Sequence, residues 1–287
     1  MRGCGIATCA EQGWWSKHGG RGFTLVELLV VISIMSLLVA ILMPALASAR
    51  SGAREVACRS NVRQLLLANI GYASENDGYY VAAASDIWED GGGLRRWHGV
   101  RDGLDEAFEA LRGPLAGYLS GGAVKECPER VGFVKGEAWA ESFEKGCGGY
   151  GYNMVYIGSR LWQKGLRGGD WLRQAYSRGA RVTEVGKPGE TVMFADTAMS
   201  LDGVGYIEYS FAEPPFSVCG GEVMEGFYMS PSIHFRHRGR ATIGWADGSA
   251  GGRMMGRFEG VSVYGVNSAE MGLGWFEPID NTPFDLK

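Results

Sequence analysis

The hydrophobic pattern sets the N-terminal part of the chain apart from the rest. Residues 23–47 are predominantly apolar and carry a single charge, and about 20 such residues cross a bilayer as a helix. From the end of this run onward the apolar positions recur at steps of three and four, the period of a helix with one apolar face. They are Leu46, Ala49, Ala53, Val56, Val62, Leu66, Ile70 and Ala73. The pattern predicts one long helix, membrane-spanning over 23–47 and amphipathic over 48–77.

Two residues inside the apolar run are notable, and the first of them is one that a plain membrane anchor would not contain. Glu27 places a carboxylate where a charge costs roughly 2.5–3.5 kcal/mol on insertion scales. Either Glu27 lies close enough to the lipid headgroups to stay hydrated, or it has a functional partner. Pro44 removes a backbone donor, so we expect a kink or a looser turn near the outer face of the membrane.

After Tyr79 the chain changes to short apolar stretches separated by glycine-rich turns, which indicates a β-rich head over 78–287. The predicted fold is α+β: a long N-terminal helix packed on a mainly antiparallel sheet with long loops. Two helical insertions are predicted in the head. One covers 103–119 up to Gly113-Pro114, and the other covers 137–145.

The late part of the head contains the clearest strand patterns. Residues 241–245 predict a strand, and Asp247-Gly248 is a strong hairpin-turn signal after it. His237 would stand at the start of this strand. The segment 194–197 predicts the end of a buried strand, where we expect Asp196 to act as a turn or cap residue rather than a ligand.

Composition narrows the class of protein. The chain has 46 Gly and 9 Pro without a Gly-X-Y repeat, which favours turns and loops over a collagen-like fibre. Its net charge of −4 offers no basic surface for DNA or RNA, so no nucleic-acid partner is expected. A nucleophile elbow, a phosphate-binding loop and a zinc-protease helix are all missing from the sequence, so an enzyme is not expected.

The residues from Arg21 to Glu27 resemble the cleavage and methylation motif of type IV prepilins. A basic residue, Gly22, Phe23 and Glu27 hold the spacing of that motif directly before the apolar run. An ordinary signal peptide instead has its cleavage site after the apolar stretch. The resemblance implies that prepilin peptidase cuts between Gly22 and Phe23, removes 1–22 as a leader and methylates the new amino group of Phe23.

The same resemblance implies a structural subunit, either a pseudopilin of a type II secretion system or a subunit of a type IV pilus-like filament. Glu27 would meet the amino group of Phe23 in a neighbouring subunit and set the register of assembly. The implied partners are other pilin-like subunits, an inner-membrane assembly platform and secreted cargo. Lys17 and Arg21 would hold the N-terminus in the cytoplasm, which places the head in the periplasm.

Three patterns in the head resemble a subgroup of pilin-like proteins that is named for a C-terminal H-X9-DG motif. The motif residues themselves are His237, Asp247 and Gly248. The other two patterns are Cys127-Pro128 followed by 150–153, and the segment 188–197. The order of the three patterns matches that subgroup, and the resemblance implies no chemistry for them.

A metal site has little support in the sequence. His234, His237, Asp196 and Asp247 offer ligand types, but residues three apart on a strand face opposite sides, which argues against using both histidines. Resemblance to the major pseudopilins leaves structural calcium as an alternative, although the acidic residues lack the local pattern of that family. We therefore expect no cofactor.

The cysteines suggest a disulfide in the head. Cys4 and Cys9 lie in the predicted leader, and the four others allow three connectivities. Cys127 and Cys147 flank a loop of 19 residues, whose closure would contribute roughly 3 kcal/mol in the chain-entropy model. Cys58 is the poorer partner because it lies on a rigid helix. Cys219 would stay free or meet Cys58.

Tryptophan content supports a rival interpretation, in which the helix displays a head that binds carbohydrate or protein. Nine tryptophans are present, and each could belong to the core or to a ligand platform. The candidates are Trp88, Trp97, Trp139, Trp162, Trp171 and Trp245.

Overall fold

A computed structural model of the protein describes residues 23–129, 132–134, 143–166, 170–201, 205–258 and 267–287. The predicted leader with Gly22, the predicted helix at 137–145 for the most part, and Trp139 lie outside the described residues. The chain divides after Ser48 into two units, and Ala49–Lys287 is the second.

The N-terminal helix α1 runs from Leu25 to Glu75, as predicted, and continues through Pro44. Up to Ser48 its apolar side chains are exposed, and it is long and apolar enough to cross a membrane. Its C-terminal end is closed by a turn in which the amide of Gly78 donates to the carbonyl of Ala73 over 2.9 Å. The kink at Pro44 stays a prediction.

From Ala49 onward, one face of α1 packs on the head, and this face begins later than the sequence pattern suggested. Val56 is exposed, whereas the chain from Cys58 on is buried at helical spacing. The buried residues are Cys58, Val62, Leu65, Leu66, Ala68, Asn69 and Ala73. Val62 approaches Gly244 so closely that a Cβ there would lie 2.6 Å from its Cγ1. Only glycine at that position lets α1 lie against the sheet.

The central sheet is formed by β3 (Tyr150–Tyr152), β4 (Val192–Asp196), β10 (Arg240–Trp245) and β11 (Ala250–Met254). These strands are antiparallel and lie in the order β11-β10-β4-β3. One of the two inner strands, β4, is buried along its whole length, as the apolar segment predicted. This sheet and α1 form the core of the head.

Among the described residues, four antiparallel two-stranded ribbons accompany the central sheet. They pair β1 (Arg95–Arg96) with β2 (Gly99–Val100), β5 (Met199–Leu201) with β6 (Gly205–Ile207), β7 (Phe216–Cys219) with β8 (Glu222–Tyr228), and β9 (Ile233–His234) with β12 (Leu273–Gly274). A short helix α2 covers Trp171–Tyr176. The predicted α+β class, a long helix with a mainly antiparallel head, is confirmed.

The predicted helix at 103–119 is wrong. Only two 3-10 turns form there, Ala110–Arg112 and Ala116–Tyr118. The supposed apolar stripe is mostly exposed, since Leu104 and Leu111 face solvent and only Phe108 is buried. A helix without a buried face gains little from packing, and the chain is held extended instead, through a bridge between Glu109 and Val100.

The hairpin predicted after residues 241–245 is present as β10 and β11. Asp247 Oδ1 accepts hydrogen bonds from the amide of Ser249 over 2.8 Å and from its hydroxyl over 2.6 Å. Gly248 has φ +89°, a conformation that glycine adopts without strain. His237 precedes β10, as expected, and is joined to Arg240 by a tight turn.

Candidate functional site

The start of α1 holds the first candidate site. Thr24 and Glu27 form a reciprocal helix cap: the amide and hydroxyl of Thr24 donate to Glu27 Oε2 over 2.9 and 2.7 Å, and the amide of Glu27 donates to Thr24 Oγ1 over 3.2 Å. This arrangement is a capping box, which satisfies donors at the helix N-terminus. Sequence reasoning missed this role of Glu27, although threonine followed by glutamate three residues later is its known signature.

Both side chains of the expected assembly contact are exposed at this end of the helix. Phe23 is 69% exposed, and Glu27 is exposed as well. Both Thr24 bonds fall on one carboxylate oxygen of Glu27, so the second oxygen can face a neighbouring chain. The pairing of Glu27 with the Phe23 amino group of another subunit stays a prediction.

A second candidate site lies in the core of the head, where four elements converge. Cys58 comes from α1, Cys127 from the loop before β3, Asp196 from the end of β4, and His237 from the turn before β10. Each residue offers one ligand atom, and the four atoms lie within 4.8 Å of one another. All four side chains are buried. We call these residues the thiol cluster.

Contacts inside the thiol cluster are short. Cys58 Sγ lies 3.0 Å from Asp196 Oδ1, Cys127 Sγ lies 3.6 Å from His237 Nε2, and His237 Nε2 lies 3.3 Å from Asp196 Oδ2. The same ring nitrogen of His237 therefore faces both Cys127 and Asp196. Its other nitrogen, Nδ1, is buried with no hydrogen-bond partner among the described residues.

A shell of polar groups supports the thiol cluster. The amide of Thr242 donates to Asp196 Oδ2 over 2.6 Å. The hydroxyl of Tyr150 lies 3.3 Å from Cys58 Sγ and accepts a bond of 3.1 Å from Asn61 Nδ2. Arg236 is half-buried beside the cluster, with Nε and Nη1 of its guanidinium group buried. Its Nη2 donates to the carbonyls of Gly149 and Thr197.

Burial and charge act in opposite directions on the acidity of these groups. Burial alone would raise the pKa of Asp196, but the hydrogen bond from His237 and the charge of Arg236 lower it below its usual value. Burial likewise opposes protonation of His237, yet Asp196 and Cys127 raise its pKa. The Cys58 hydrogen bond lowers the pKa of Cys127, whereas burial raises that of Cys58. The cluster favours a thiolate at Cys127.

The structure corrects the expected role of Asp196. It is a fully buried member of the thiol cluster rather than a turn or cap residue. The two histidines do not share a strand, as the sequence reasoning assumed: His234 ends β9, whereas His237 lies in the turn before β10. His234 packs on Tyr206, with ring centroids 4.4 Å apart, and lies outside the cluster. Asp247 lies at the tip of the hairpin and is also outside it.

The expected disulfide between Cys127 and Cys147 is not formed, and all four cysteines of the described residues are free thiols. The amide of Cys127 bonds to the carbonyl of Gly148, so the two chain segments are adjacent. Their side chains nevertheless have different surroundings, since Cys127 faces His237 and Cys147 faces Glu208, with Sγ 3.4 Å from Oε2. Cys58, expected to be the poorer partner, is the cysteine that lies in the cluster with Cys127.

A signal for the thiol cluster was present in the sequence. Each of the three head patterns contributes a residue to the cluster or its shell, and these residues are Cys127, Tyr150, Asp196 and His237. The fourth ligand, Cys58, stands one helical turn before Val62 on the buried face of α1. The three head patterns, for which the resemblance implied no chemistry, therefore contribute residues to one buried cluster.

A second buried cluster, which we call the arginine cluster, contains similar residue types. Arg96 Nε donates to both oxygens of Glu144, over 2.9 and 3.1 Å, and Ser210 Oγ donates to Glu144 over 2.7 Å. His98 Nε2 lies 3.6 Å from the same carboxylate. Burial lowers the pKa of His98, so its imidazole is kept neutral.

The tryptophans divide between core and surface. Trp97 and Trp245 are buried, and Trp88 is half exposed. Trp171 lines a surface pocket of about 580 Å³ together with Lys164 and Glu222. Trp162 is partly buried against the core.

Comparison with known proteins supports the interpretation of the N-terminus. The prokaryotic N-terminal methylation motif matches residues 18–43. No curated protein and no solved structure gives a significant match to the chain. Together with the long apolar helix and the antiparallel head, this match supports a type IV pilin-like subunit. The motif implies processing by prepilin peptidase and assembly with other pilin-like subunits.

Proposed function

We propose that the protein is a pseudopilin of a type II secretion system or a close relative, with a structural rather than a catalytic role. It would sit in the inner membrane with its N-terminus in the cytoplasm and its head in the periplasm. The observation that carries this proposal is the position of Glu27: an exposed carboxylate on a helix whose neighbouring side chains are apolar and exposed. Such a surface needs lipid or other helices around it.

Glu27 has two roles in this proposal. In the single subunit it caps α1 through Thr24. In the filament its charge would pair with the amino group of Phe23 in a neighbouring subunit, which becomes available when cleavage frees that group. A charge pair is strong where water is excluded, so an incoming subunit would be held in one register.

Two substitutions separate these roles. Glu27→Gln keeps a side chain that can complete the capping box but removes the charge, whereas Glu27→Val removes both. If the charge sets assembly, both variants are inserted and cleaved while neither enters filaments, as measured by immunoblotting of sheared filaments. Thr24→Val is the matched control, because it weakens the cap and keeps the carboxylate. Normal incorporation of Glu27→Gln would show that the cap alone matters.

Cleavage is tested at the junction itself. Gly22→Asp should leave a full-length membrane form, because the charged side chain replaces the glycine at the expected cleavage site. N-terminal sequencing of the mature wild-type protein should begin at Phe23. A mature chain that begins at any other residue would contradict the processing scheme.

The head would contact the assembly platform, neighbouring heads or secreted cargo. The ribbon of β7 and β8 carries the apolar side chains that suit such a contact, since Val223, Met224, Phe227 and Tyr228 are all exposed. The alternative, a head that binds carbohydrate, would use the pocket beside Trp171. Two experiments separate the assembly contact from carbohydrate binding. A glycan array with the full chain in detergent tests binding of carbohydrate. Co-purification of wild-type and Phe227→Ser chains with the secretion machinery tests the contact through the ribbon of β7 and β8.

A further inference from the structure

We propose that Cys58, Cys127, Asp196 and His237 bind one Zn²⁺ ion as a closed structural site in the core of the head. Two sulfurs, one imidazole nitrogen and one carboxylate oxygen are ligands that zinc accepts, and four protein ligands without an open position are typical of structural zinc. All four side chains are buried. This inference is independent of the filament in which the protein serves.

The separations of the ligand atoms fit a tetrahedron around zinc. With Zn–S bonds of about 2.3 Å and Zn–N and Zn–O bonds of about 2.0 Å, the edges are about 3.3 Å for N···O and about 3.5 Å for S···N and S···O. With Oδ2 of Asp196 as the carboxylate ligand, the corresponding distances are 3.3 Å from this oxygen to His237 Nε2 and 3.6 Å from Cys127 Sγ to His237 Nε2, and both match closely. Cys58 Sγ lies 3.0 Å from the other oxygen, Oδ1. All four ligand atoms lie within 4.8 Å of one another.

The geometry does not suit a catalytic cysteine. In a Cys-His-Asp triad the thiol and the carboxylate bind opposite nitrogens of the imidazole ring. Here Cys127 and Asp196 both approach Nε2 of His237. Groups that converge on one side of the ring surround a common point, as ligands of a metal do.

Charge balance also favours a divalent cation. Two thiolates, one carboxylate and a neutral imidazole around Zn²⁺ leave one net negative charge, and the buried guanidinium of Arg236 lies close enough to compensate it. The amide of Thr242 and the hydroxyl of Tyr150 supply hydrogen bonds to Asp196 and Cys58. Such outer contacts orient metal ligands and hold them in place.

A disulfide between Cys58 and Cys127 is the competing use of the two sulfurs in an oxidising compartment. It would account for the cysteines alone, because Asp196 is already paired with His237 at 3.3 Å. The pair alone does not require the two sulfurs to lie beside it. The convergence of all four ligand atoms within 4.8 Å of one another therefore favours the metal.

Zinc at this site would join the helix α1 to the central sheet, since its ligands come from α1, β4, the loop before β3 and the turn before β10. The free energy of metal binding then adds to the stability of the folded head. Cys127, Asp196 and His237, which belong to the three patterns that resemble the H-X9-DG subgroup, would thus share the role of binding zinc.

The test uses the full mature chain, purified in detergent without chelators. Elemental analysis should find about one Zn²⁺ per chain in wild-type protein and close to none in Cys127→Ser and His237→Asn. Cys147→Ala and Cys219→Ser are the matched controls and should retain the metal. Removing zinc with a chelator should lower Tm by about 10 °C or more, and added Zn²⁺ should restore it.

A second measurement works on wild-type protein and does not depend on whether a variant folds. Co²⁺ added to the chelated protein should give the visible absorption of tetrahedral cobalt together with thiolate charge-transfer bands. A wild-type chain without stoichiometric zinc, whose Tm does not change with chelator or Zn²⁺, would overturn the proposal. So would a Cys58–Cys127 disulfide found by non-reducing peptide mapping of protein taken from cells.

Discussion

The thiol cluster and the arginine cluster bury similar residue types in one head but neutralise them differently. Glu144 is neutralised by a side chain of opposite charge, because Arg96 Nε lies 2.9 Å from Glu144 Oε1. Around Asp196 the guanidinium of Arg236 bonds to backbone carbonyls instead. Two sulfurs and an imidazole nitrogen occupy the remaining sides of Asp196.

The difference shows what a metal site requires beyond the right residue types. Near the arginine cluster, Cys147 faces a separate carboxylate, Glu208, which also accepts bonds from the amides of Gly146 and Gly148. His98 Nε2 lies 3.6 Å from Glu144 and has no hydrogen-bond partner among the described residues. The sulfur and the imidazole therefore face different carboxylates. In the thiol cluster all ligand atoms share one centre, so a single cation can replace several weak hydrogen bonds.

Glu213 shows a third way to bury a carboxyl group. Its Oε1 accepts a bond of 2.9 Å from the hydroxyl of Tyr209, and its Oε2 has no partner among the described residues. Burial raises the pKa of Glu213 to about 7. Below about pH 7 this carboxyl group is therefore kept neutral by a proton.

The largest effect is expected when the arginine cluster is broken. Glu144→Ala leaves the buried guanidinium of Arg96 without its main partner, and removal of one member of a buried ion pair costs about 3–5 kcal/mol. Denaturant unfolding of the full chain in detergent measures the loss. Glu144→Gln keeps the shape and one acceptor and should lose less. A loss below about 1 kcal/mol for Glu144→Ala would mean that water reaches this pair.

The next effect concerns pH and Glu213. The folded protein holds the Glu213 proton up to about pH 7, whereas the unfolded chain releases it near pH 4.5, as an ordinary glutamate does. The contribution of Glu213 to the free energy of unfolding is therefore fully present below pH 4.5, and it is lost as pH rises from 4.5 through 7. The total loss is on the order of 3 kcal/mol.

Glu213→Gln checks this sign. The amide cannot ionise, so the variant should exceed wild-type stability at about pH 8, and the difference should shrink towards about pH 5. The measurement is the free energy of unfolding at both pH values. If wild-type and variant lose stability in parallel over this range, Glu213 is not the group that titrates.

The parts of the fold that the sequence predicted depend on local signals. Hydropathy and helical period located α1, and the turn chemistry of Asp247 and Gly248 located the hairpin of β10 and β11. The same period misled at 103–119, because apolar spacing does not say whether another element covers that face. Leu104 and Leu111 have no such cover.

The thiol cluster was not predicted because its members are brought together only by tertiary structure. Cys58 and His237 lie far apart in the sequence and meet because α1 packs across β10 at Gly244. Sequence spacing could pair Cys127 with Cys147 but could not give the direction of either side chain. Asp196 looked like a turn residue because it ends a strand, and its burial depends on the neighbouring elements.

The smallest expected effect concerns Asp247, which lies at the opposite end of the H-X9-DG motif from His237. His237 belongs to the thiol cluster, whereas Asp247 only organises the turn after β10 through Ser249. Asp247→Ala removes these two hydrogen bonds from an exposed turn, so we expect a loss of about 1 kcal/mol. Asp247→Asn, which can form the same turn, should lose less. Both variants should retain as much metal as the wild-type chain. A loss of metal from Asp247→Asn with an unchanged unfolding free energy would show that the turn positions the ligands from the far end of β10.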